Sequence, residues 1–373
     1  MDITLTEIQN MLRTSARDFL KTACPGKYVR AMAEDEKGFT ADLWQQIGEM
    51  GWMGLMVPEK YGGAGCGFLD MIILLEEMGR VCLPGPFFST AVLGGLSLLE
   101  AGSEEQKVDF LPKLVAGKLL LTLAVTETST DISAQGIQTT AIPEGDQFVI
   151  QGRKLFVPDA HVCDYFILAA RTMNSGAPEE GITLFLVDAH SPGIKTELLK
   201  TMAGDKQCEI ELKGVKVPAI NILGALNQGW PLLQNILDKA IVARCAEMAG
   251  GAKQMLQMTL DYAKERKAFG HPIGSYQSIQ HNFANMVVKS DGFSLMTYNA
   301  AWMIDENLAV SREAAMTKVL SNEFFREITA LCVQIHGAIG FTEEHDAPLF
   351  YKRAKAWEIS LGSTSYHLGR IAA

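Results

Sequence analysis

Two stretches in the C-terminal part of the chain combine long polar side chains with nearby glycines, a pattern that could form part of a ligand site. In ERKAFG, Arg266 precedes a Phe-Gly turn, and Gln277 follows within one short loop. In QIHGAIGF, Gln334 begins a run that reaches Gly337 and Gly340. Glycine has no side chain, so a ligand can approach the backbone closely at these positions. Each stretch alone also fits an ordinary helix end, with a basic last turn in one and a glycine C-cap in the other.

Other kinds of catalytic or nucleotide site find little support. No GxGxxG or GxxxxGK[ST] follows a strand pattern, and no GxSxG occurs. The acidic stretch FTEEHD places its possible metal ligands at consecutive positions rather than on one helix face. It therefore indicates a solvated acidic turn, and we expect no metal site.

Composition predicts a soluble globular protein of two or three domains. The chain has 373 residues, of which 48% are hydrophobic and 20% charged. The net charge of −10 argues against nucleic-acid binding. The seven cysteines form no CxxC, so reduced thiols are expected. The N-terminus lacks signal-peptide features and no apolar stretch could span a bilayer, so a cytoplasmic location is predicted.

The positioning elements fall into three zones. Residues 1–118 show helical spacing, for example in LTEIQNMLRTSARDFL, whose predicted apolar face holds Ile8, Met11, Leu12, Ala16 and Phe19. Residues 119–224 alternate at a period of two, as in QCEIELKGVKV, which predicts strands in an antiparallel sheet or barrel. Residues 225–373 return to long amphipathic helices joined by short loops, which favour a helical bundle.

Four motifs together resemble the acyl-CoA dehydrogenase family over essentially the whole chain. GWMGLMVPEKYGGAG, AVTET, ERKAFG with Gln277, and QIHGAIGFTEE occur in the family's order and spacing. The resemblance implies an α+β fold with an N-terminal all-α domain, a middle antiparallel β-barrel domain and a C-terminal four-helix bundle. The domain boundaries expected from the periodicity are 1–118, 119–224 and 225–373.

The resemblance also implies an FAD site between the middle and C-terminal domains, completed by a neighbouring subunit of a tetramer. The implied cofactor residues are Thr126, Phe156, Pro158, Arg266, Phe269, Gln277, Gln334, Gly337, Ala338, Gly340 and Ser363. Asp238 and Lys239 match positions beside the CoA pantetheine. Acyl-pocket candidates are Phe87, Phe88, Ala91 and Leu361, which are mostly apolar and predict a hydrophobic acyl group. Electron-transfer flavoprotein is the implied electron acceptor.

The expected proton acceptor is missing. In the family a carboxylate removes an acidic proton from the acyl-CoA while hydride passes to flavin N5. The usual glutamate corresponds to Leu361, before Gly362, and some relatives place it at the position of Ala240. Neither residue can accept a proton. Glu358 and Glu247 lie near these positions in sequence, and we expect them to be surface or structural acids.

Two further departures affect cofactor contacts. Ile132 replaces a serine that helps to bind the cofactor phosphate, and Phe156-Val157-Pro158 stands where the family has Trp-x-Thr. Pro158 has neither a hydroxyl nor an N–H, so one donor to the flavin is lost.

Three interpretations remain open. PGPFFSTAVLGG and the Leu361 loop are most similar to anaerobic-bacterial members that oxidise alicyclic acyl-CoA thioesters, some of which use an acid after PGPFF. In this chain that segment is Ser89-Thr90-Ala91, so the base lies elsewhere or an aspartate has been replaced. Alternatively, the chain is a base-less FAD-binding subunit of a heteromeric dehydrogenase. The third interpretation is a desulfinase-like flavoenzyme that causes no net flavin reduction.

Overall fold

A computed structural model describes residues 4–174 and 176–372. Two compact units share the chain in alternation. The helical unit takes the residues up to Ala31, the segment Gly67–Leu83 and the chain from Asp238 onward, and the sheet unit takes Met32–Cys66 and Pro84–Leu237. The three-domain boundaries expected from the sequence stay a prediction.

Helices dominate both ends of the chain, and strands dominate its middle. The helices are α1 (Glu7–Ala23), α2 (Gly26–Glu34), α3 (Ala41–Glu49), α4 (Phe68–Arg80), α5 (Gly95–Ala101), α6 (Glu104–Val115), α7 (Gly229–Glu265), α8 (Gln277–Asp305), α9 (Ser311–His336), α10 (Ala347–Ile359) and α11 (Thr364–Ala372). The strands are β1 (Leu121–Ala124), β2 (Thr140–Glu144), β3 (Gln147–Pro158), β4 (Tyr165–Arg171), β5 (Ile182–Asp188), β6 (Ile194–Leu199), β7 (Gln207–Pro218), β8 (Ile222–Leu223), β9 (Lys267–Ala268) and β10 (His271–Pro272).

Small residues let the helices of the helical unit pack closely. A Cβ at Gly79 of α4 would lie 2.0 Å from the Glu247 carbonyl oxygen, and one at Gly250 of α7 would lie 1.7 Å from the Glu76 carbonyl oxygen. Only glycine allows these two backbones to approach so closely. The core beside this crossing is built mainly from α7, α8, α9 and α10, and includes Phe325 and Trp357.

The middle strands form an open mixed sheet, so the predicted antiparallel barrel is wrong. The strand order is β6-β7-β3-β2-β4-β5-β8, and β1 pairs with β4 in parallel. Among the residues that the structure describes, no pairing joins β6 to β8; β8 has only two residues, too few to close the sheet against β6. Because β1 follows α6 rather than a hairpin turn, nothing forces it to run antiparallel to its neighbour.

The chain forms a short hairpin directly after the long helix α7. Helix α7 stops at Glu265, and β9 and β10 then form a short hairpin whose turn is Phe269-Gly270. Within the described ranges, no helix is both long enough and apolar enough to cross a membrane.

Candidate functional site

The segment predicted to line the acyl pocket is a buried π-helix in the sheet unit. It spans Phe88–Gly94, and the side chains of Ser89, Thr90 and Ala91 are almost fully buried. The Thr90 hydroxyl fixes this segment to β1, because its oxygen lies 3.2 Å from the Leu121 amide nitrogen and accepts its hydrogen bond. π-Helical turns are rare and occur often at functional sites.

The carboxylate of Asp159, a residue that the sequence analysis did not single out, contacts this segment. The Ser89 hydroxyl donates to Asp159 Oδ2 over 2.6 Å, and both side chains are buried. Asp159 follows Pro158 at the end of β3, with φ of +54°. The two residues are 70 positions apart, so no local sequence pattern predicts that they are in contact.

The flavin-side candidates Thr126, Phe156 and Pro158 also belong to the sheet unit. The Leu155 amide donates to the Thr126 carbonyl oxygen over 2.8 Å, so the end of β1 and strand β3 are held together. Phe156 is half exposed and has φ of +54°, which is unusual for an aromatic residue.

A buried lysine fixes the same pair of segments from the interior. Lys154 donates to the Val125 carbonyl oxygen over 3.1 Å and to Glu127 Oε1 over 2.7 Å. Glu127 in turn accepts the amides of Gln138 and Thr139. Burial lowers the pKa of Lys154, while Glu127 opposes that effect. This satisfied network is absent from the sequence prediction.

The hairpin after α7 presents Arg266 and Phe269 on the helical unit. Both side chains are exposed, and Phe269 is 95% exposed with φ of +50°. The backbone of the hairpin is fixed because the Ile273 amide donates to the Arg266 carbonyl oxygen over 2.8 Å. Gln277 begins α8 directly after this turn and is also exposed.

The second predicted cofactor segment lies at the end of α9 in the same unit. Gln334 and Ala338 are exposed, and Gly337 has φ of +65° and ψ of −138°, which only glycine adopts readily. A Cβ at Gly340 would lie 2.9 Å from the Val333 carbonyl oxygen.

The structure brings these two cofactor segments together through Tyr262. Its hydroxyl donates to the His336 carbonyl oxygen over 3.3 Å, and its ring stacks on the His336 ring with 4.6 Å between centroids. Tyr262 lies one turn before Arg266, so the Arg266 turn and Gly337 are neighbours. The sequence contained no signal for this link.

Asp238, which the sequence predicts to contact CoA, forms a salt bridge with Arg370. Arg370 Nη2 of α11 donates to Asp238 Oδ1 over 2.6 Å, and the Asp238 side chain is almost completely buried. Lys239 is partly buried beside it, and Ala240, the alternative glutamate position, is fully buried.

Leu361 lies in the loop between α10 and α11 with an unusual backbone. Its φ is +58° and that of Gly362 is +106°. His367 Nε2 donates to the Leu361 carbonyl oxygen over 2.9 Å, which requires the tautomer protonated at Nε2. Burial lowers the pKa of His367 to about 4. Ser363, the remaining cofactor candidate, is exposed on the same loop.

A fully buried lysine supports the C-terminal end of α10 just before this loop. Lys318 Nζ donates to Asn322 Oδ1 over 2.7 Å and to the Trp357 carbonyl oxygen over 2.5 Å. Asn322 Nδ2 in turn donates to Thr364 Oγ1 over 3.4 Å. Burial lowers the pKa of Lys318 to about 7. Lys318 is a core residue that its position among apolar neighbours of α9 could have flagged.

The two glutamates nearest the missing-base positions are both in ion pairs. Glu358 lies 3.2 Å from Lys355 Nζ and 3.7 Å from Arg326 Nε. Glu247 is buried and pairs with Arg244, while burial raises its pKa and Arg244 opposes that effect.

The chemistry of these groups fits a flavin dinucleotide. Arg266 offers donors for a diphosphate, Gly337 leaves open space beside its backbone, and the exposed Phe269 ring offers an apolar plane. Gly340 is buried against Val333, so its lack of a side chain serves local packing. Among the described residues no group of three or more metal-ligating side chains is found.

Comparison with known proteins matches the whole chain. Residues 6–118, 122–215 and 227–373 match the profiles described as acyl-CoA dehydrogenase N-terminal, middle and C-terminal domains, respectively. "Probable acyl-CoA dehydrogenase YngJ" of Bacillus subtilis is 34% identical over 372 residues, covering 98% of this chain and 97% of its own length. "Caffeyl-CoA reductase-Etf complex subunit CarC" of Acetobacterium woodii is 32% identical over 365 residues, or 96% of each chain. The solved structure of butyryl-CoA dehydrogenase from Megasphaera elsdenii superposes with a TM-score of 0.92 at 28% identity, covering 100% of this chain and 99% of that one.

Proposed function

Because the chain belongs to the acyl-CoA dehydrogenase family, we propose that it oxidises a hydrophobic acyl-CoA thioester without the family's usual glutamate. The chain is an oxidoreductase, and FAD is the cofactor that members of this family bind. Bound FAD supplies a two-electron acceptor, while the protein must bind the thioester, orient it and take up a proton.

The Leu361 loop is the observation that carries this proposal. It keeps a strained backbone, with φ of +58° at Leu361 and support from His367, yet presents an aliphatic side chain. Strain of this kind costs about 1–3 kcal/mol and persists where a site needs it. A loop retained at that cost supports an active substrate site, and its leucine supports proton removal by another residue.

The acyl group that fits these residues is apolar and, we propose, alicyclic. Phe87, Phe88 and Ala91 are buried on or beside the π-helix of the sheet unit. Leu361, the remaining acyl-pocket candidate from the sequence, is also apolar. A compact ring would fill such a lining without demanding a polar partner. A charged dicarboxyl thioester would leave a buried charge unpaired.

In this proposal Thr126, Phe156, Arg266, Gln277 and Gln334 contact FAD. The other residues that the sequence analysis assigned to the cofactor complete the site: Pro158, Phe269, Gly337, Ala338, Gly340 and Ser363. Asp238 and Lys239 contact CoA. Electrons leave to an electron-transfer flavoprotein, which the name of the CarC relative supports because it places that protein in an Etf complex. We propose a homotetramer, with a heteromer of two related chains as the alternative.

A second candidate is the reverse reaction, reduction of an unsaturated thioester. The CarC relative is named as part of a caffeyl-CoA reductase. The same residues serve both directions, because proton and hydride return to the carbons they left.

The decisive experiment is anaerobic flavin bleaching by the purified chain. Cyclohexanecarboxyl-CoA and hexanoyl-CoA are each mixed with the FAD-loaded protein, with free CoA as the control. We expect fast bleaching by the cyclic thioester and slow or no bleaching by the straight chain. Flavin that stays oxidised with every thioester contradicts dehydrogenation by the lone chain. Bleaching that then appears only with a glutamate-bearing partner supports the heteromer, and thioester conversion without bleaching supports the desulfinase-like interpretation.

A further inference from the structure

Tyr262, in the last turn of α7, contacts both chain segments of the helical unit that the proposed function assigns to FAD. Its backbone carbonyl oxygen accepts the Arg266 amide over 2.8 Å. Its side-chain hydroxyl donates to the carbonyl oxygen of His336 over 3.3 Å, and His336 directly precedes Gly337. The hydroxyl contact joins residues that are 74 positions apart. A single residue therefore links the Arg266 hairpin to the Gly337 turn.

The peptide group that leads into Gly337 is bonded at both ends. Its carbonyl oxygen, that of His336, accepts the Tyr262 hydroxyl, and its N–H, that of Gly337, donates to the Gln334 carbonyl oxygen. The next backbone angles, φ of +65° and ψ of −138° at Gly337, are open to glycine and to few other residues. The direction in which the chain leaves α9 thus depends on a hydroxyl group supplied by α7.

The His336 ring lies between two other aromatic rings. The Tyr262 ring stacks on it with 4.6 Å between centroids and 24° between planes, and the His345 ring lies at 4.6 Å and 58°. Rings at these separations attract one another. His336 Nδ1 donates to the Cys332 carbonyl oxygen over 2.8 Å, which requires the tautomer protonated at Nδ1. Because His336 is almost fully buried and bonded in this way, the Tyr262 ring rests on a fixed surface.

This group of three rings carries no charge near neutral pH. Burial lowers the pKa of His336 and that of His345, so both imidazoles are neutral there. The charges that act on His345 come from Asp346 and Arg30, which form an ion pair with each other over 2.7 Å. The contact between Tyr262 and His336 is therefore a neutral one that depends on packing and one hydrogen bond.

The hairpin after α7 is fixed at the Arg266 end as well. The Arg266 amide is bonded to Tyr262, and the Arg266 carbonyl oxygen accepts the Ile273 amide over 2.8 Å. The Tyr276 hydroxyl donates to the Ala268 carbonyl oxygen over 2.7 Å. The Arg266 side chain itself is exposed, so its direction is set by this backbone. Donors that are in place before a ligand arrives bind it more tightly than donors that must first be ordered.

We propose that Tyr262 is a positioning residue for FAD, because its hydroxyl and its ring keep the Arg266 hairpin and the Gly337 turn together as one preformed binding surface. This inference rests on the proposed function, which assigns both segments to FAD. Tyr262 then affects the cofactor through its neighbours. The competing explanation is that Tyr262 only packs the helical unit and matters to FAD no more than another partly buried tyrosine does.

The test compares two tyrosines of the helical unit. Tyr262→Phe removes the hydroxyl and keeps the ring, and Tyr262→Ala removes both. Tyr298→Phe and Tyr298→Ala are the matched controls, since Tyr298 is also partly buried and its hydroxyl donates to Glu76 Oε2 over 3.2 Å. The full-length protein is freed of flavin and titrated with FAD, and flavin fluorescence gives the dissociation constant. Circular dichroism and light scattering establish that each variant has the wild-type fold and assembly.

We expect Tyr262→Phe to weaken FAD binding roughly 2- to 10-fold, because the His336 carbonyl oxygen loses its donor. Tyr262→Ala should weaken it by at least about 10-fold, because the ring contact is lost in addition. Both Tyr298 variants should stay within about twofold of the wild type, because Tyr298 contacts neither FAD segment.

A double-mutant cycle with Arg266→Gln separates positioning from general packing. Arg266→Gln alone should weaken FAD binding, because a charged donor to the diphosphate is lost. If Tyr262 acts by placing Arg266, the effect of Tyr262→Ala should be at least about threefold smaller in the Arg266→Gln protein than in the wild type. A tyrosine that only packs the unit would give two effects that multiply to within about twofold.

The outcomes separate this inference from the proposed function. Equal FAD affinity in the wild type and a folded Tyr262→Ala overturns the inference and leaves the dehydrogenase proposal intact. Independent effects in the cycle overturn it too, and so does an Arg266→Gln protein that binds FAD as tightly as the wild type. FAD affinity that depends on Tyr262 through Arg266, without bleaching by any thioester, supports the inference and contradicts dehydrogenation by the lone chain. If Tyr262→Ala does not fold, Tyr262→Phe decides: unchanged FAD affinity in that variant overturns the inference.

Discussion

Replacing Lys318 with methionine should change how the stability of the helical unit depends on pH. Lys318 is fully buried, and burial lowers its pKa from 10.5 to about 7. Of its neighbours, Cys245 and Glu358 oppose this effect, whereas Arg244 adds to it. Between pH 7 and 10.5 the unfolded chain holds a proton that the folded chain has released, so the unfolding free energy rises with pH. At about 1.4 kcal/mol per pH unit, the full interval corresponds to roughly 5 kcal/mol.

The measurement is urea unfolding of wild type and Lys318→Met at pH 7.5, 8.5 and 9.5, followed by helical circular dichroism. The difference in unfolding free energy, wild type minus variant, should rise by roughly 3 kcal/mol across this range. Buried cysteines titrate in both proteins, so their contribution largely cancels. Lys352→Met, at an exposed position of α10, serves as the control and should show no such slope. If the difference in unfolding free energy between the two proteins stays constant with pH, the conclusion that buried Lys318 is neutral above pH 7 is wrong.

Three more predictions concern the same unit. His367→Gln should resist acid better than the wild type: the folded pKa of His367, about 4, lies below its ordinary 6.5, so its stabilising contribution is present above pH 6.5 and is lost as pH falls. Urea unfolding between pH 6.5 and 4 should show a difference of up to roughly 3 kcal/mol. Leu361→Glu should let hexanoyl-CoA bleach the flavin at least about tenfold faster, since one well-placed base contributes more than that; an unchanged rate would contradict the assignment of this loop. Asp238→Ala should lower the unfolding free energy measured in urea by roughly 3 kcal/mol, because it leaves Arg370 without its buried partner. The same variant should raise KM for acyl-CoA. The double variant with Arg370→Ala should recover part of the lost stability.

Local periodicity was enough to predict the elements but not their pairing. The strand and helix zones follow from spacings of two and of three to four, which depend only on which face is buried. The parallel pairing of β1 with β4 depends on the position of the chain at the end of α6, which no local sequence pattern predicts. Helix α1 forms where the spacing predicted it, but its apolar face is only partly covered: Ala16 is buried, whereas Ile8 and Met11 are mostly exposed.

The candidate site shows the same division. Arg266, Gln334 and Gly337 were recognisable because their motifs keep a fixed spacing. Asp159 and Lys318 were missed: Asp159 contacts a serine 70 positions away, and the only sequence signal for Lys318 was its position among apolar neighbours of α9, because it bonds to a backbone carbonyl group. A carbonyl group belongs to every residue, so a lysine bound to one leaves no signature beyond its own position in an apolar face.

The alternation of the two units along the chain sets an order for folding during synthesis. Helix α4 packs against α8, and four consecutive residues of α4 are fully buried: Ile72, Ile73, Leu74 and Leu75. At roughly 5–20 residues per second, α8 leaves the ribosome on the order of 10–40 s after α4. The sheet unit is complete at Leu237, well before that time. Until α8 is synthesised, α4 has α1 as a packing partner but lacks the one that covers its other face, so the helical unit can complete its core only after most of the chain has been made.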